Sequence, residues 1–410
     1  MECEWQQREL GEFVRLQRGH DLTAGERTDG EYPVMGSAGP NGTHIEFKAR
    51  GPGVVVGRSG ASAGRVHYCS VDYWPHNTCL YVTDFLGNDP RFAYYYLGTL
   101  PLANYNSGSA QPSLNRNFIY TVPVSVPPPA EQREISDFLG GIDGRIDLLR
   151  QTNTTLEAIA QALFKSWFVD FDPVHAKAEG REPETMDAVT AALFPSEFEA
   201  SELGLIPKGW RSMTFGDAAY LSKGSVNPLT MPDTEFNHYS LPAFDVGQLP
   251  VREVGDAIKS NKTPVPSGSV LVSKLNPHIP RIWPVGESGT NAVCSTEFLV
   301  WVPKAPASSV FVYCLASSQP FNSAMRQLVT GTSNSHQRVK PDQLNGLRVC
   351  ARSDAALEAF GAIASPLLQR ILDNRQQAAT LAQLRDTLLP RLISGKLRLP
   401  DVEREIEATP

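Results

Sequence analysis

The sequence predicts an α+β fold in which two related β-rich domains are joined and separated by two long helices. Motifs from the first half recur in the second half in the same order. Each copy then ends in a long segment whose apolar residues lie seven apart. With 410 residues, the chain is too long for one ordinary domain and suits two or three.

The internal repeat is clearest where each copy begins. Three matches share an offset of 205 residues, and later matches lie at offsets of 216, 219, 223 and 225. A growing offset is expected when the second copy carries loop insertions. The first three matches pair Trp5 with Trp210, Leu10-Gly11-Glu12 with Phe215-Gly216-Asp217, and Arg18-Gly19 with Lys223-Gly224.

The first part of each copy reads as short strands. Runs rich in β-branched and aromatic residues, such as residues 53–58, 78–83, 269–274 and 297–302, are separated by Gly, Pro and Asn. This pattern is typical of strands joined by turns. Each copy is therefore expected to begin with a β-rich domain.

The second part of each copy reads as a helix with heptad spacing. An apolar repeat sustained over about four heptads is a coiled-coil pattern. Asn374 stands within the second series, where a polar residue either fixes the register or is simply tolerated. The heptad residues are Ile135, Ile142, Leu149, Leu156 and Leu163 in the first helix, and Phe360, Leu367, Asn374, Leu381 and Leu388 in the second.

Other residues are expected to fill the seam between the heptad positions. These are Phe138, Ile146, Ile159 and Trp167 in the first helix, and Ile363, Ile371, Leu384 and Leu392 in the second. The polar run at residues 152–155 interrupts the apolar pattern, so a bend is expected there. Each helix would reach about 57 Å, which favours a rigid spacer over a hairpin within one domain.

Composition excludes several classes of protein. The six cysteines form no CxxC pair and the eight histidines show no metal-binding spacing, so no metal site is expected. No run of about 18 apolar residues and no signal peptide is seen, which predicts a cytoplasmic protein without a membrane span. The net charge is −7, but residues 205–355 carry 14 basic and 10 acidic side chains, a net +4. The overall acidity therefore does not exclude DNA binding.

Three segments resemble a known family. Residues 126–174 contain P-x-x-E-Q-x-x-I (128–135) and FKSWFVDFD (164–172). Residues 387–400 read TLLPRLISGKLRLP, and IPKGW (206–210) opens the second copy. Together they resemble the conserved regions of type I restriction–modification specificity (S) subunits. The second copy departs from the pattern because SDAALEAFGAIASP (353–366) replaces P-x-x-E-Q, which leaves the start of its helix open.

The resemblance implies two pseudo-two-fold related α/β target-recognition domains and an antiparallel coiled coil. Each domain would read one half of a split, asymmetric DNA target. Two methyltransferase (M) subunits and restriction (R) subunits would be partners, carrying S-adenosylmethionine and ATP respectively, so no cofactor and no catalysis are expected here. The predicted segments are recognition domain 1 (1–130), a helix (131–172), a linker (173–204), recognition domain 2 (205–355), a helix (356–400) and a tail (401–410).

Candidate DNA contacts lie in the loops of both copies. Arg, Lys, Asn and Gln read base edges, and small polar residues hold phosphates. The same residues would also suit solvated turns. The candidates are Arg58, Arg65, Asn77, Gln111 and Arg116 in the first copy, and Lys274, Asn276, His278, Arg281, Asn334, His336, Arg338 and Lys340 in the second.

Two alternative functions have less support. An adenine methyltransferase should carry an Asn/Asp-Pro-Pro-aromatic tetrapeptide and a Gly-rich cofactor loop, and neither is seen. A nuclease could be assembled from Asp29 and Glu46-Phe47-Lys48, but the pattern is incomplete. A stand-alone DNA-binding protein, or one that only assembles through its long helices, remains the alternative to the S-subunit interpretation.

Overall fold

A computed structural model describes residues 5–105, 113–329 and 337–401. The chain divides into two units. Unit 1 holds the described residues of 1–146 and 380–410, and unit 2 is residues 147–379. Each unit contains one copy of the repeat and parts of both long helices.

The first copy occupies most of unit 1. Its central sheet has the order β2–β8–β5–β6, a smaller sheet has the order β4–β3–β7, and β1 pairs with β9. The elements are β1 (Gln6–Glu9), α1 (Leu10–Phe13), β2 (Arg15–Arg18), β3 (Tyr32–Gly36), β4 (Gly39–His44), β5 (Gly53–Gly57), β6 (Val66–Cys69), β7 (Trp74–Pro75), β8 (Cys79–Asp84), α2 (Pro90–Thr99), α3 (Arg116–Ile119), β9 (Pro123–Val126) and α4 (Pro129–Phe168).

The predicted linker, residues 173–204, is folded as part of unit 2. It contains α5 (Asp172–Ala178), α6 (Ala188–Ala191) and most of a hairpin formed by β10 (Phe198–Ser201) and β11 (Gly204–Pro207). Val174 and Phe194 are buried in the main core of this unit, beside Trp167 and Trp210. The aromatic FKSWFVDFD motif is therefore core-forming.

The second copy completes unit 2. Its elements are β12 (Arg211–Thr214), α7 (Phe215–Ala218), β13 (Ala219–Leu221), β14 (Glu235–Tyr239), α8 (Leu241–Gly247), β15 (Val251–Val254), β16 (Thr263–Pro264), β17 (Val270–Ser273), β18 (Ile282–Pro284), β19 (Ala292–Cys294), β20 (Phe298–Pro303), α9 (Ser309–Ser317), α10 (Gln319–Gln327), α11 (Pro341–Asn345), β21 (Arg348–Arg352) and α12 (Asp354–Ile393).

The two copies have the same strand topology. The sheet β13–β20–β17–β18 repeats the order β2–β8–β5–β6, and β12 pairs with β21 as β1 pairs with β9. In the smaller sheets, β14 runs parallel to β19 as β3 runs parallel to β7. The sequence repeat is thus a repeat of structure, and the predicted fold class is confirmed.

Helices α4 and α12 run antiparallel to each other within each unit. In unit 1, Asp143 of α4 contacts Arg385 of α12, and Glu131 near the start of α4 contacts Arg398, just beyond the end of α12. The residue number in the first helix rises as that in the second falls, which shows the antiparallel direction. In unit 2, Asn153 contacts Asn374 and the rings of Phe164 and Phe360 meet. The described residues include one helix, α12, that is long and apolar enough to cross a membrane by composition, which is weak support for a span. Apolar residues of α12 contribute to the buried cores of both units.

Both helices begin two residues before the predicted starts and end earlier than expected. Helix α4 ends at Phe168 rather than 172, because Phe171 has a φ of 54°, which is outside the helical region. Helix α12 ends at Ile393 rather than 400, before Gly395 with a φ of 70°. The start at Asp354 places the replacement for P-x-x-E-Q inside the helix.

All ten heptad residues are buried or partly buried, whereas three of the eight intermediate residues are exposed. Ile135, Leu149, Phe360, Asn374 and Leu388 are buried. Ile142, Leu156, Leu163, Leu367 and Leu381 are partly buried. Ile159, Ile363 and Leu384 were expected in the seam but are 49%, 45% and 44% exposed. An α-helix turns every 3.6 residues rather than 3.5, so Ala160 and Ala364 occupy the buried positions instead.

Helix α4 is continuous through residues 152–155, so the polar run does not interrupt the helix. The three threonine hydroxyls of this run donate to backbone carbonyls four residues earlier. Asn153 is buried, and its Oδ1 accepts from Asn374 Nδ2 at 2.8 Å while its Nδ2 donates to the Ile371 carbonyl at 3.0 Å. Asn374 therefore has a polar partner on the facing helix.

The P-x-x-E-Q motif attaches α4 to the first β-rich domain. Gln132 is fully buried; its Nε2 donates to Asn88 Oδ1 and to the Pro127 carbonyl, and its Oε1 accepts from the Asp89 N–H. The neighbouring Glu131 accepts from Trp5 Nε1 at 3.2 Å. These hydrogen bonds give partners to polar groups that are buried away from water.

The second copy uses apolar residues at the equivalent positions. Asn88 corresponds to Ala307 at the offset of 219, and Gln132 corresponds to Leu357 at the offset of 225. Ala307 and Leu357 are both buried. A polar pair in one copy is thus replaced by an apolar pair in the other. This explains why the motif is absent from residues 353–366 although the helix is retained.

Candidate nucleic-acid interface

One basic residue follows a buried central strand in each copy. Arg58 follows β5 and Lys274 follows β17, and both are partly buried. The Arg58 N–H donates to the Thr78 carbonyl at 3.0 Å, and the Lys274 N–H donates to the Glu297 carbonyl at 3.0 Å. Because these strands are buried, the two basic residues are positioned by rigid elements.

A second backbone contact is also repeated. The Arg58 carbonyl accepts from Leu114 N–H at 2.8 Å, and the Lys274 carbonyl accepts from Val339 N–H at 3.1 Å. Isolated bridges join Ser59 to Ser113 and Leu275 to Arg338 beside these bonds. The structure therefore places residues 58 and 274 at equivalent positions, each next to a later loop that also carries candidates.

In unit 1 the structure brings Arg58 and Arg116 together in an open cleft of about 730 Å³. Arg18, His20 and Asp21 line the same cleft. Arg116 Nη1 donates to the Leu16 carbonyl at 3.0 Å. Sequence reasoning missed Arg18 as a site residue, although its match with Lys223 marked it as part of the repeat.

Asn77 supports this cleft through Asp21. The Asn77 side-chain amide donates to the Asp21 carboxylate, which also pairs with Arg18 at 3.1 Å. The hydrogen bond from Asn77 and then the charge of Arg18 hold the pKa of Asp21 below its ordinary value. Asn77 therefore positions a charged neighbour in this structure.

Arg65 lies apart from this cleft. It is exposed and lines a second depression of about 520 Å³ with Tyr95 and Arg385. Its equivalent at the offset of 216 is Arg281, since Gly57 N–H donates to the Arg65 carbonyl as Ser273 N–H donates to the Arg281 carbonyl.

Arg281 differs from Arg65 in having a carboxylate partner. Arg281 pairs with Asp245 of α8 through two hydrogen bonds of 2.7 and 2.9 Å. The hydrogen bond from Arg281 lowers the pKa of Asp245. In the first copy a tight turn after Gly36 leads directly into β4, where the second copy has α8 between β14 and β15. The inserted helix therefore changes the loop chemistry of the second copy.

In unit 2 the structure brings several candidates together around the end of β17. Asn276 has a φ of 51° and its N–H donates to the Gln337 carbonyl at 2.9 Å, next to Arg338. Arg338 is exposed and forms two hydrogen bonds with Glu297, at 2.9 and 3.1 Å. His278 and Lys340 are exposed. Gln111, Asn334 and His336 lie outside the described residues.

The five cysteines that the structure describes are buried, and the described residues form no metal-binding cluster. Among the described residues, no three His, Cys, Asp or Glu side chains are grouped to hold a metal ion. Burial raises the pKa of Cys79, Cys294 and Cys350 to about 12. These thiols are consequently neutral at physiological pH.

Comparison with known proteins shows what this chain is similar to. Residues 2–158 match the family model of the type I restriction modification DNA specificity domain. The chain is 24% identical over 344 residues to the type I restriction enzyme HindI specificity subunit of Haemophilus influenzae, covering 72% of this chain and 73% of that protein. It is also 24% identical over 334 residues to the MjaIX specificity subunit of Methanocaldococcus jannaschii, covering 76% and 70%.

A solved structure supports the fold over nearly the whole chain. The crystal structure of a type I restriction–modification S subunit from M. genitalium superposes with a TM-score of 0.61 and 16% identity, covering 95% of this chain and 96% of that one. At this identity the similarity concerns the fold. The sequence matches confirm the resemblance: the chain is similar to type I restriction–modification specificity subunits, and its residues 2–158 match their DNA specificity domain.

Proposed function

We propose that this chain is the DNA-reading subunit of a type I restriction–modification enzyme and that it recognises a bipartite, asymmetric target. Residues 1–130 would read one half of the target and residues 205–355 the other. The observation that carries the proposal is the repeated position of Arg58 and Lys274 at the ends of equivalent strands, with matching backbone bonds. Residues fixed on rigid elements are suited to reading a defined surface.

The asymmetry of the target is inferred from the different surroundings of these two residues. Arg58 lies with Arg18 and Arg116, whereas Lys274 lies near the Arg338–Glu297 pair. Within the residues that the structure describes, the α8 insertion and the Arg281–Asp245 pair are found in the second copy only. Because Arg, Lys and Asn side chains favour different base edges, unlike loops should select unlike half-sites.

The subunit would also position two M subunits, and R subunits would join them. Support comes from the outer faces of the long helices, where Ile159 and Leu384 are 49% and 44% exposed and lie 225 residues apart in sequence. Exposed apolar residues repeated in this way suit two copies of one partner.

Catalysis is assigned to the partner subunits in this proposal. S-adenosylmethionine would bind to the M subunits and ATP to the R subunits. This chain would supply DNA binding and geometry, and the complex would act on cytoplasmic DNA.

Co-expression with a type I M subunit tests the proposal. The expected product is a complex with two M subunits per chain, and the expected mark is methylated adenine at one split, asymmetric motif. Association with an M subunit without sequence-specific methylation would favour the assembly alternative. Sequence-specific DNA binding without association would favour a stand-alone DNA-binding protein.

A single substitution tests the assignment of the second half-site. His278→Ala removes an exposed loop side chain and is expected to relax base preference in one half of the motif only, by sequencing of methylated adenines. Lys259→Ala, which removes an exposed cation of the same unit beside Asp256, is the control and should leave the motif unchanged. Relaxation of both halves would contradict the division of the target between the copies.

A further inference from the structure

The cleft in unit 1 gathers three guanidinium groups. Arg18, Arg58 and Arg116 line it, together with one carboxylate, Asp21, and the imidazole of His20. With His20 neutral, the charged side chains of the cleft sum to +2. A concave polar surface with this charge is complementary to an anion.

Two of the three arginines are already held in place. Arg18 pairs with Asp21 at 3.1 Å, and Arg116 Nη1 donates to the Leu16 carbonyl at 3.0 Å. Within the described part of the chain, the structure gives the Arg58 guanidinium no ion pair and no hydrogen bond. Its backbone, in contrast, is fixed on both sides by Thr78 and Leu114. Among the described residues, Arg58 is therefore an unpaired cation on a fixed backbone, in a cleft whose other two arginines have partners.

We propose that this cleft is a binding site for a phosphate of the DNA backbone and that Arg58 is its central ligand. The inference rests on the proposed DNA-reading function and assigns Arg58 to phosphate binding rather than to base recognition. A guanidinium group donates parallel hydrogen bonds that match the oxygens of a phosphodiester. Arg18 and Arg116 complete the site as flanking charges.

The shape of the site favours a phosphate over a base edge. Base edges lie at the floor of a DNA groove and are reached by protruding protein elements. Phosphates form the ridges of the duplex, and a cleft accepts a ridge. Arg58 is at the end of a buried strand and lines the cleft, whereas the adjoining loop at residues 60–64 lies beyond that strand end.

The equivalent region of the second copy is built differently. Lys223 and Lys274 correspond to Arg18 and Arg58, but Pro341 corresponds to Arg116, at the offsets of 205, 216 and 225. Arg338, which is nearby, is paired with Glu297. Lys340 corresponds to Asn115 of the cleft, so the second copy carries lysines where the first carries arginines, and the three-arginine site is assigned to the first copy.

Salt dependence of DNA binding tests the proposal. The full chain, in its complex with the M subunit, is titrated with its methylated motif and with an unrelated duplex between 50 and 200 mM KCl. Each phosphate contact contributes about −0.9 to the slope of log K against log salt concentration. Arg58→Ala is expected to make the slope shallower by about 0.9 on both duplexes, without changing the methylated motif.

Arg50→Ala is the matched control. Arg50 is exposed and precedes β5, while Arg58 follows it, so the two substitutions remove equal charge from opposite ends of one strand. Arg50→Ala should leave the slope unchanged. Arg58→Lys keeps the charge and should retain most of the slope, which separates loss of charge from misfolding.

Three results would overturn the inference. If Arg58→Ala relaxes one position of the motif and keeps the slope, Arg58 reads a base. If neither property changes, the cleft does not contact DNA. If Arg50→Ala lowers the salt-dependence slope as much as Arg58→Ala does, the loss reflects a general charge effect. In each case the wild-type complex still binds its motif, so failure of the cleft is distinct from failure of the proposed function, in which no specific binding is seen.

Discussion

Replacing Asn374 with alanine is expected to destabilise unit 2 by about 2 kcal/mol. Asn374 is 1% exposed, and its Nδ2 is the donor to Asn153 Oδ1 at 2.8 Å. The substitution leaves that oxygen buried without this donor, which costs about 1–3 kcal/mol. For a unit of this size, each kcal/mol lowers Tm by about 2–4 °C, so a decrease of about 4–8 °C is expected.

The double variant Asn153→Leu/Asn374→Leu tests the cause of this loss. Replacing both polar partners by apolar residues is expected to restore most of the stability, because no polar atom of the pair is then left buried. Thermal unfolding of the wild type, Asn153→Leu, Asn374→Leu and the double variant completes the cycle, with the exposed Gln377→Ala as control. A single variant with unchanged Tm, or a double variant as unstable as the sum of the single ones, would refute the reasoning.

Three further predictions concern the first β-rich domain, the partner surface and the thiols. Gln132→Leu should cost about 3 kcal/mol in urea unfolding by removing three hydrogen bonds, and Asn88→Ala should cost less in that background than in the wild type, because the hydrogen bond from Gln132 to Asn88 is already lost. Strictly additive losses would contradict a direct coupling between the two side chains. Ile159→Glu and Leu384→Glu should each keep the native circular dichroism spectrum. In native mass spectra, each variant should bind one M subunit rather than two. Two bound copies in both variants would exclude these residues from the contact. In a Cys3→Ser variant, the thiols of Cys79, Cys294 and Cys350, whose pKa burial raises to about 12, should resist iodoacetamide at pH 8. Their contribution to stability should be lost as pH rises from about 9 towards 12, because the unfolded chain then loses protons that the folded chain keeps. Rapid labelling of the native protein would contradict their burial.

The repeat and the long helices could be predicted because they leave regular signals in the sequence. Heptad residues such as Ile135 and Phe360 carry a period that many residues reinforce. The intermediate positions could not be assigned as well, since a difference of 0.1 residue per turn shifts the buried face by one residue along a long helix. Ile159 was therefore expected in the seam that Ala160 occupies.

The candidate site could be predicted only as a set of loops. The sequence showed that Arg58 and Lys274 are equivalent, but it could not show that Arg18 faces Arg58, because β2 and β5 are separated by β8 in the sheet. The pairing of Asn153 with Asn374 was hidden for the same reason, as the partners are 221 residues apart. Contacts between distant segments depend on packing, which local patterns do not encode.

Duplicating one domain tests the central claim most directly. A hybrid chain in which residues 6–126, from β1 to β9, replace residues 211–352, from β12 to β21, keeps both long helices and carries the first copy twice. The account predicts that this hybrid, with its M subunits, methylates a split palindrome formed from two copies of the first half-site. Methylation of the original asymmetric motif by an intact hybrid complex would contradict the claim that each repeat reads one half of the target.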